Sequence, residues 1–262
     1  MFRDESLEGV LAAVVGHGYL LRLGLLDYAG DIVSAQENLM NVLIYGATGM
    51  VGQGVLRECL LAQDVALVQT VGRTATGQPN PKLKEIVQHD LFDGDSVAAD
   101  LKGFDACFFC LGISSAGMTE AAYTRLTYDL TIAVAQTVAR LNPGMTFVYV
   151  SGAGTDSTEQ GGSMWARVKG RTENTLQRLP FKAAYLFRPG AIQPLHGIRS
   201  KTASYRLLYS LTKPLLTPLR LFFPNVMLTT EIMGQAMLAV ARHGADKAVL
   251  EAADIRALAT AG

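Results

Sequence analysis

The chain of 262 residues is poor in cysteine and tryptophan and carries no net charge: three Cys, one Trp, and 23 Lys plus Arg against 23 Asp plus Glu. Balanced charge leaves no bulk field to draw it to nucleic acid or to an anionic membrane. Cys59, Cys107 and Cys110 are too few for a disulfide framework, and a reducing cytoplasm suits them. Cys107 and Cys110 form a CxxC inside the apolar run ACFFCLG. On a strand, residues three apart face opposite ways, so buried inert thiols are expected there, with no bridge and no metal. A membrane span is not expected: residues 10–26 are interrupted by His17 and Arg22 and contain Gly16, Gly18 and Gly24. The opening MFRDESLE is too acidic for a signal peptide. Hydrophobic residues nevertheless make up 49% of the chain, enough for a well-buried core.

The most informative stretch is 41–56, NVLIYGATGMVGQGVL. Four apolar residues, Val42, Leu43, Ile44 and Tyr45, read as a parallel strand buried on both faces. Gly46, Gly49 and Gly52 follow at three-residue spacing and lead into the helical pattern of Val51, Val55, Leu56 and Cys59. Strand, glycine turn and helix in this order predict a dinucleotide site. Gly46 allows the tight turn, Gly49 the approach of a pyrophosphate, and Gly52 close packing of helix on strand, with the helix N-terminus facing the phosphates.

Residues 1–39 precede this strand and read as an amphipathic helix or a loosely packed extension. A sharper expectation places the true start at Met40, with Gln36-Glu37 encoded CAG-GAG as a ribosome-binding sequence. Beyond the first helix, residues 66–71 form a second apolar strand ending in Gly72-Arg73-Thr74. An acidic residue here would bind the ribose hydroxyl of NAD; Arg73 instead favours the 2′-phosphate of NADP, with NAD the second choice. Further strands are expected at 84–88, 104–111, 145–151 and 183–187, and helices at 119–141 and 163–179. Asp90, at the end of the third strand, is placed to meet an adenine amino group. Alternating strands and helices predict an α/β, doubly wound parallel sheet, the NAD(P)-binding Rossmann fold, over residues 40–262. A small helical substrate or lid region is expected from about residue 193.

The motifs GATGMVG, GR, HD, CLG, VSGAG, VKG and FRPG, in this order, resemble the short-chain dehydrogenase/reductase superfamily. The nearest pattern is its atypical branch, the epimerase-like proteins that include the Tat-interacting oxidoreductase. The resemblance covers roughly residues 41–258. It implies that Gly46, Thr48, Gly49, Met50, Val51 and Gly52 cradle a pyrophosphate and that Arg73 meets the ribose phosphate. It further implies Asp90 and Leu91 at the adenine, Leu111 and Gly112 at the central ribose, Lys169 at the nicotinamide ribose, and Pro189 to Ile192 at the nicotinamide amide.

The family's acid/base is a tyrosine four residues before the lysine, with a serine orienting the substrate. Here Trp165 stands four residues before Lys169, and its indole N–H is no proton shuttle. Where the family often has two serines, this chain has Ser151-Gly152. Three readings stay open. Another group moves the proton, with Tyr123, Tyr128, Ser114, Ser115 and Asp156 as candidates; or the acceptor, such as a quinone or flavin, needs no strong acid; or chemistry has been lost and NADPH binding serves sensing or partner regulation. The small-molecule substrate and the oligomeric state are open as well. Residues 204–223 mix Arg206, Lys213 and Arg220 with leucines and aromatics, a pattern expected of a lid over the pocket and secondarily of a membrane-surface segment. A helix is expected at 230–242 and a final strand with a short helical turn at 248–258. His196 reads as a loop residue near the substrate side.

Overall fold

The computed structural model describes residues 39–198 and 227–261. The expectations for residues 1–38 and 204–223 lie outside these.

Six parallel strands and a seventh after a helical excursion build one sheet. Strand β1, Met40–Tyr45, is followed by helix α1, Met50–Leu61, and strand β2, Val65–Gly72. After β3, Leu83–Val87, a 3₁₀ turn at Asp95–Leu101 leads to β4, Ala106–Phe109. Helix α2, Glu120–Thr124, runs through a π-turn at Arg125–Asp129 into α3, Leu130–Leu141. Then come β5, Thr146–Val150; α4, Met164–Leu176; and β6, Ala183–Arg188. The last elements are β7, Ala191–Gln193; β8, Met227–Thr229; α5, Thr230–His243; β9, Val249–Glu251; and α6, Ala252–Ala261. The sheet order is β3-β2-β1-β4-β5-β6-β9, all parallel, so the doubly wound fold is as expected.

The order explains where a ligand belongs. The chain steps outward from β1 to β3, then returns to place β4 on the other side of β1. Crossovers leave in opposite directions at β1 and β4, opening a crevice beyond their carboxyl ends. Alternation along β1 sends Val42 and Ile44 into one apolar cluster and Leu43 and Tyr45 into the other. The first cluster takes Val55, Leu56 and Cys59 of α1 and Met233, Ala236 and Met237 of α5. The second takes Val134, Ala135 and Val138 of α3 and Leu176 of α4. Cys107 joins the second cluster, whereas Cys110 packs on the first. Burial raises both thiols, Cys110 to about 12.

Three elements depart from the sequence pattern. Strand β4 is shorter than the apolar run at 104–111, because the chain leaves the sheet after Phe109, with Cys110 N–H making a last bond to Tyr45 O at 2.8 Å. The helix expected at 119–141 begins as expected, with the Thr119 hydroxyl capping the Ala122 N–H at 3.3 Å, but contains the π-turn. The short tail turn is a ten-residue helix, α6. The small parallel pair β7–β8, three residues each, was not foreseen.

Candidate functional site

The glycine turn sits in the crevice. Gly46 has φ +84°, and a Cβ there would lie 2.8 Å from the Cys110 carbonyl carbon and 2.8 Å from the Leu111 nitrogen. A side chain would therefore push β1 and β4 apart where the crevice opens. Gly52 is pressed on the same turn: its Cβ would overlap the Gly46 carbonyl oxygen and fall 2.7 Å from the carbonyl carbon. Gly49 closes the turn by donating its N–H to Gly46 O at 2.9 Å, and it holds the N-cap position of α1 with no capping side chain. A Cβ on Gly49 would meet only that oxygen, at 3.2 Å, with nothing else near. The first turn of α1 carries no acidic residue. An uncapped helix N-terminus over an open glycine surface fits a diphosphate, whose charge the free N–H groups and the helix dipole would offset. Thr48, Met50 and Val51 lie half-buried in this turn, Thr48 accepting at its carbonyl from Gln53 Nε2 at 3.1 Å.

The other residues of the expected cofactor set line the same sheet edge. Arg73 is exposed directly after β2, and no carboxylate ends that strand. The loop carrying Arg73 is held by Glu85 of β3, which the sequence reading missed. Its carboxylate accepts from the Thr76 N–H at 2.6 Å, the Gly77 N–H at 3.4 Å and the Thr70 hydroxyl at 3.3 Å. Burial works against the Glu85 charge, and these donors outweigh it and keep the carboxyl below its usual range. Asp90 is exposed and its Oδ1 accepts from the Phe92 N–H at 2.9 Å, while Leu91 is buried in the second cluster. Leu111 is half-buried and Gly112 exposed beyond β4. Pro189 is buried, its carbonyl accepting from Ala153 N at 2.9 Å. Ile192 points its side chain into the first cluster from β7, so only its backbone faces any ligand.

Around the expected catalytic position the arrangement is specific. Lys169 of α4 reaches β5: Nζ lies 3.4 Å from Tyr149 Oη, 3.4 Å from Val150 O, and 5.1 Å from the centre of the Tyr149 ring. Burial pushes this amine down to about 8, with Glu173 partly opposing the shift. Glu173 is itself buried and taken by Arg188 at the end of β6, whose Nε donates to Oε1 at 3.0 Å. Arg188 also donates to the Ser157 hydroxyl at 2.6 Å, tying the loop after β5 to β6.

Several of the hydroxyls nearby are engaged. Ser151 is buried, with Oγ 3.0 Å from Thr155 Oγ1, and Thr155 gives its own proton to Gly152 O at 2.8 Å. With the Thr155 proton on Gly152 O, Ser151 is the donor of that pair. Tyr123 and Tyr149 are buried, and burial raises both phenols, Tyr149 the further. Tyr128 contacts Thr175 Oγ1 at 3.4 Å and stacks beneath Arg171, on the far side of α4. Asp156 accepts from the Thr158 hydroxyl at 2.6 Å and the Gly161 N–H at 2.7 Å, which hold it below the usual carboxylate range and make it a loop anchor. Ser114 is exposed and accepts from Ala116 N at 3.3 Å; Ser115 is half-buried, its carbonyl accepting from Met118 N at 3.1 Å. His196 lies away from this group, 3.1 Å from Glu231 Oε2, on a small cavity lined by Gln53, Arg57 and Gln78.

Comparison with known proteins bears on the family and the fold. A family profile described as NAD(P)H-binding matches residues 46–183. Among curated relatives, the mitochondrial protein fmp52 of Emericella nidulans is 29% identical over 164 residues, 59% of this chain and 67% of that protein. The mitochondrial FMP52 of Chaetomium globosum is 25% identical over 156 residues, 57% of this chain and 65% of that protein. The matches thus span about two thirds of these relatives' length. The cytoplasmic assignment expected from the cysteines is overturned, because these relatives are named as mitochondrial. Few buried thiols mark a reducing surrounding and do not say which compartment provides it. Among solved structures, the Bordetella bronchiseptica enzyme WbmF in complex with NAD+ superposes with TM-score 0.60 at 15% identity, covering 84% of this chain and 78% of that one. The uronate dehydrogenase of Agrobacterium tumefaciens superposes with TM-score 0.56 at 15% identity, covering 79% and 74%. At such identities the likeness is one of fold. The chain belongs to the NAD(P)H-binding family.

Proposed function

We propose that the chain is an NADP(H)-dependent oxidoreductase acting on a small molecule, with Lys169 and Trp165 facing the substrate in place of the family's lysine and tyrosine. The observation that carries it is the open Gly49 surface under the uncapped N-terminus of α1, set at the crevice between β1 and β4. Thr48, Met50 and Val51 would hold the diphosphate through backbone N–H groups over the bare surface of Gly49, with Gly46 and Gly52 setting the turn. Arg73, fixed by the Glu85-braced loop, would meet a ribose 2′-phosphate and sets NADP above NAD. Asp90 and Leu91 would border the adenine, Leu111 and Gly112 the central ribose, and Pro189 and Ile192 the nicotinamide amide. The nicotinamide supplies or accepts a hydride when bound. Lys169 brings a cation to the end of β5, where it would hold the ribose hydroxyls and oppose negative charge that builds on a reduced substrate oxygen.

The assay is loss of NADPH absorbance with carbonyl, quinone and sugar-nucleotide panels, run beside thermal melting with each cofactor. Turnover on one panel, with NADPH raising Tm more than NADH, is the expected outcome. Melting unmoved by either cofactor defeats the proposal. Strong NADPH stabilisation without turnover would instead favour an NADPH-sensing role.

A further inference from the structure

The chain's single tryptophan occupies the position where the family carries its proton donor, and its surroundings say what it does there. Among the described residues, Trp165 joins neither apolar cluster, although it is the largest side chain of α4. It is part-exposed. The indole lies along the loop after β5: a Cβ on Gly154 would be 3.6 Å from its Cη2, and one on Gly152 would be 4.0 Å from its Cζ3. The flat ring thus lies over the two glycines at a distance that an added methyl would fill. Lys169 stands one helical turn further along the same face of α4. A core tryptophan would be enclosed by aliphatic side chains; this one lies over a glycine loop, one helical turn from Lys169.

The polar inventory points the same way. Among the described residues near β5 and α4, the Ser151 hydroxyl is tied to Thr155, Tyr123 and Tyr149 are buried, and Asp156 is saturated with donors. Ser114 and Ser115 stand on the loop after β4, and Lys169 brings an ammonium to the end of β5. Reduction of a simple ketone leaves a strongly basic alkoxide, and an acid held on the reacting oxygen contributes about 10²–10⁴-fold in rate. Here that proton would have to come from an ammonium already shared with Tyr149 Oη and Val150 O. Reduction of a quinone leaves a delocalised hydroquinone anion, a far weaker base that a nearby ammonium can balance until water protonates it.

Resting on the NADP(H) reading above, we infer that the substrate is a planar quinone, stacked on the Trp165 indole with its reduced oxygen facing Lys169 Nζ. The balance closes. The quinone gains a hydride, two electrons and one proton, from the dihydronicotinamide, which leaves oxidised. Solvent then supplies the second proton to give the hydroquinone. Trp165 binds and orients through its π-face and transfers no proton.

Because Trp165 is the sole tryptophan, its fluorescence reads the site without turnover. The full chain, saturated with NADP+, is titrated with a water-soluble naphthoquinone. Saturable quenching with unchanged excited-state lifetime is expected, competed by a second quinone. Quenching that is purely collisional, linear and lifetime-shortening overturns the inference. In parallel, Trp165→Phe should keep quinone reduction within a few-fold, and Trp165→Ala should raise the quinone KM on the order of tenfold while calorimetry shows unchanged NADPH affinity. Equal KM values for Phe and Ala variants, or a Trp165→Tyr protein that reduces ketones while the native chain reduces no quinone, also overturn it. Energy transfer from Trp165 to NADPH separates the two levels: transfer without quinone quenching leaves the cofactor reading standing and removes the quinone, whereas no transfer and no calorimetric binding removes both.

Discussion

Lys169 and Glu173 stand one turn apart on α4, yet the Glu173 carboxylate is engaged by Arg188 and the Lys169 ammonium by Tyr149. The lysine thus sits near a counter-charge without owning it, and burial sets its proton affinity. With Lys169 at about 8, its charge is complete below that pH and lost as pH rises through it. Turnover that needs the ammonium should therefore fall on an alkaline limb near 8, measured as NADPH oxidation against pH. Because Glu173 raises the Lys169 value, Glu173→Gln should move the limb to lower pH. Lys169→Arg should remove it, since a guanidinium does not titrate there.

The same carboxylate is a stability element. Glu173 is 1% exposed and Arg188 11%, and without Glu173 the guanidinium keeps only the Ser157 hydroxyl and the longer Glu251 contact at 3.4 Å. Glu173→Ala should cost about 1–3 kcal/mol in urea unfolding. A loss below about 1 kcal/mol, the range of a surface pair, would show that the bridge opens in solution.

The two neighbouring glycines of the turn should separate folding from binding. Gly52→Ala forces a methyl into backbone 2.7 Å away and should destabilise by about 1–3 kcal/mol. Gly49→Ala meets only one oxygen at 3.2 Å, so Tm should hold within a few degrees while NADPH affinity falls by about tenfold or more. Differential scanning fluorimetry and calorimetry on both variants check the contrast.

Arg73 should discriminate between cofactors. A charge-assisted contact to a 2′-phosphate contributes about 1.5–3 kcal/mol, so Arg73→Ala should weaken NADPH by roughly 10–100-fold and leave NADH unchanged. Equal losses for both dinucleotides would place the arginine elsewhere. Glu85→Gln, which loosens the loop rather than removing the charge, should weaken NADPH less than Arg73→Ala does.

What the sequence disclosed and what it withheld divide along physical lines. Gly46 and Gly52 were legible because a positive φ and a near-overlap of backbones leave no alternative residue. The parallel strands were legible as short apolar runs buried on both faces. The β7–β8 pair was not, since AIQ and MLT are too short to show a period. Nor was the Arg188–Glu173 bridge, whose partners lie 15 residues apart on different elements. Glu173 did carry a faint signal, four residues after Lys169 on one helix face. The Trp165 substitution was plain in the sequence, but its seat on Gly152 and Gly154 emerges only when the loop after β5 folds back on α4. The proton of Ser151 could be traced only once the Thr155 hydroxyl was seen to donate to Gly152.

Calorimetric titration of the folded chain with NADPH, and separately with NADH, bears most directly on the glycine turn as a diphosphate cradle. One saturable site, tighter for NADPH than for NADH, is the predicted result. No heat of binding from either dinucleotide at millimolar concentration would contradict it.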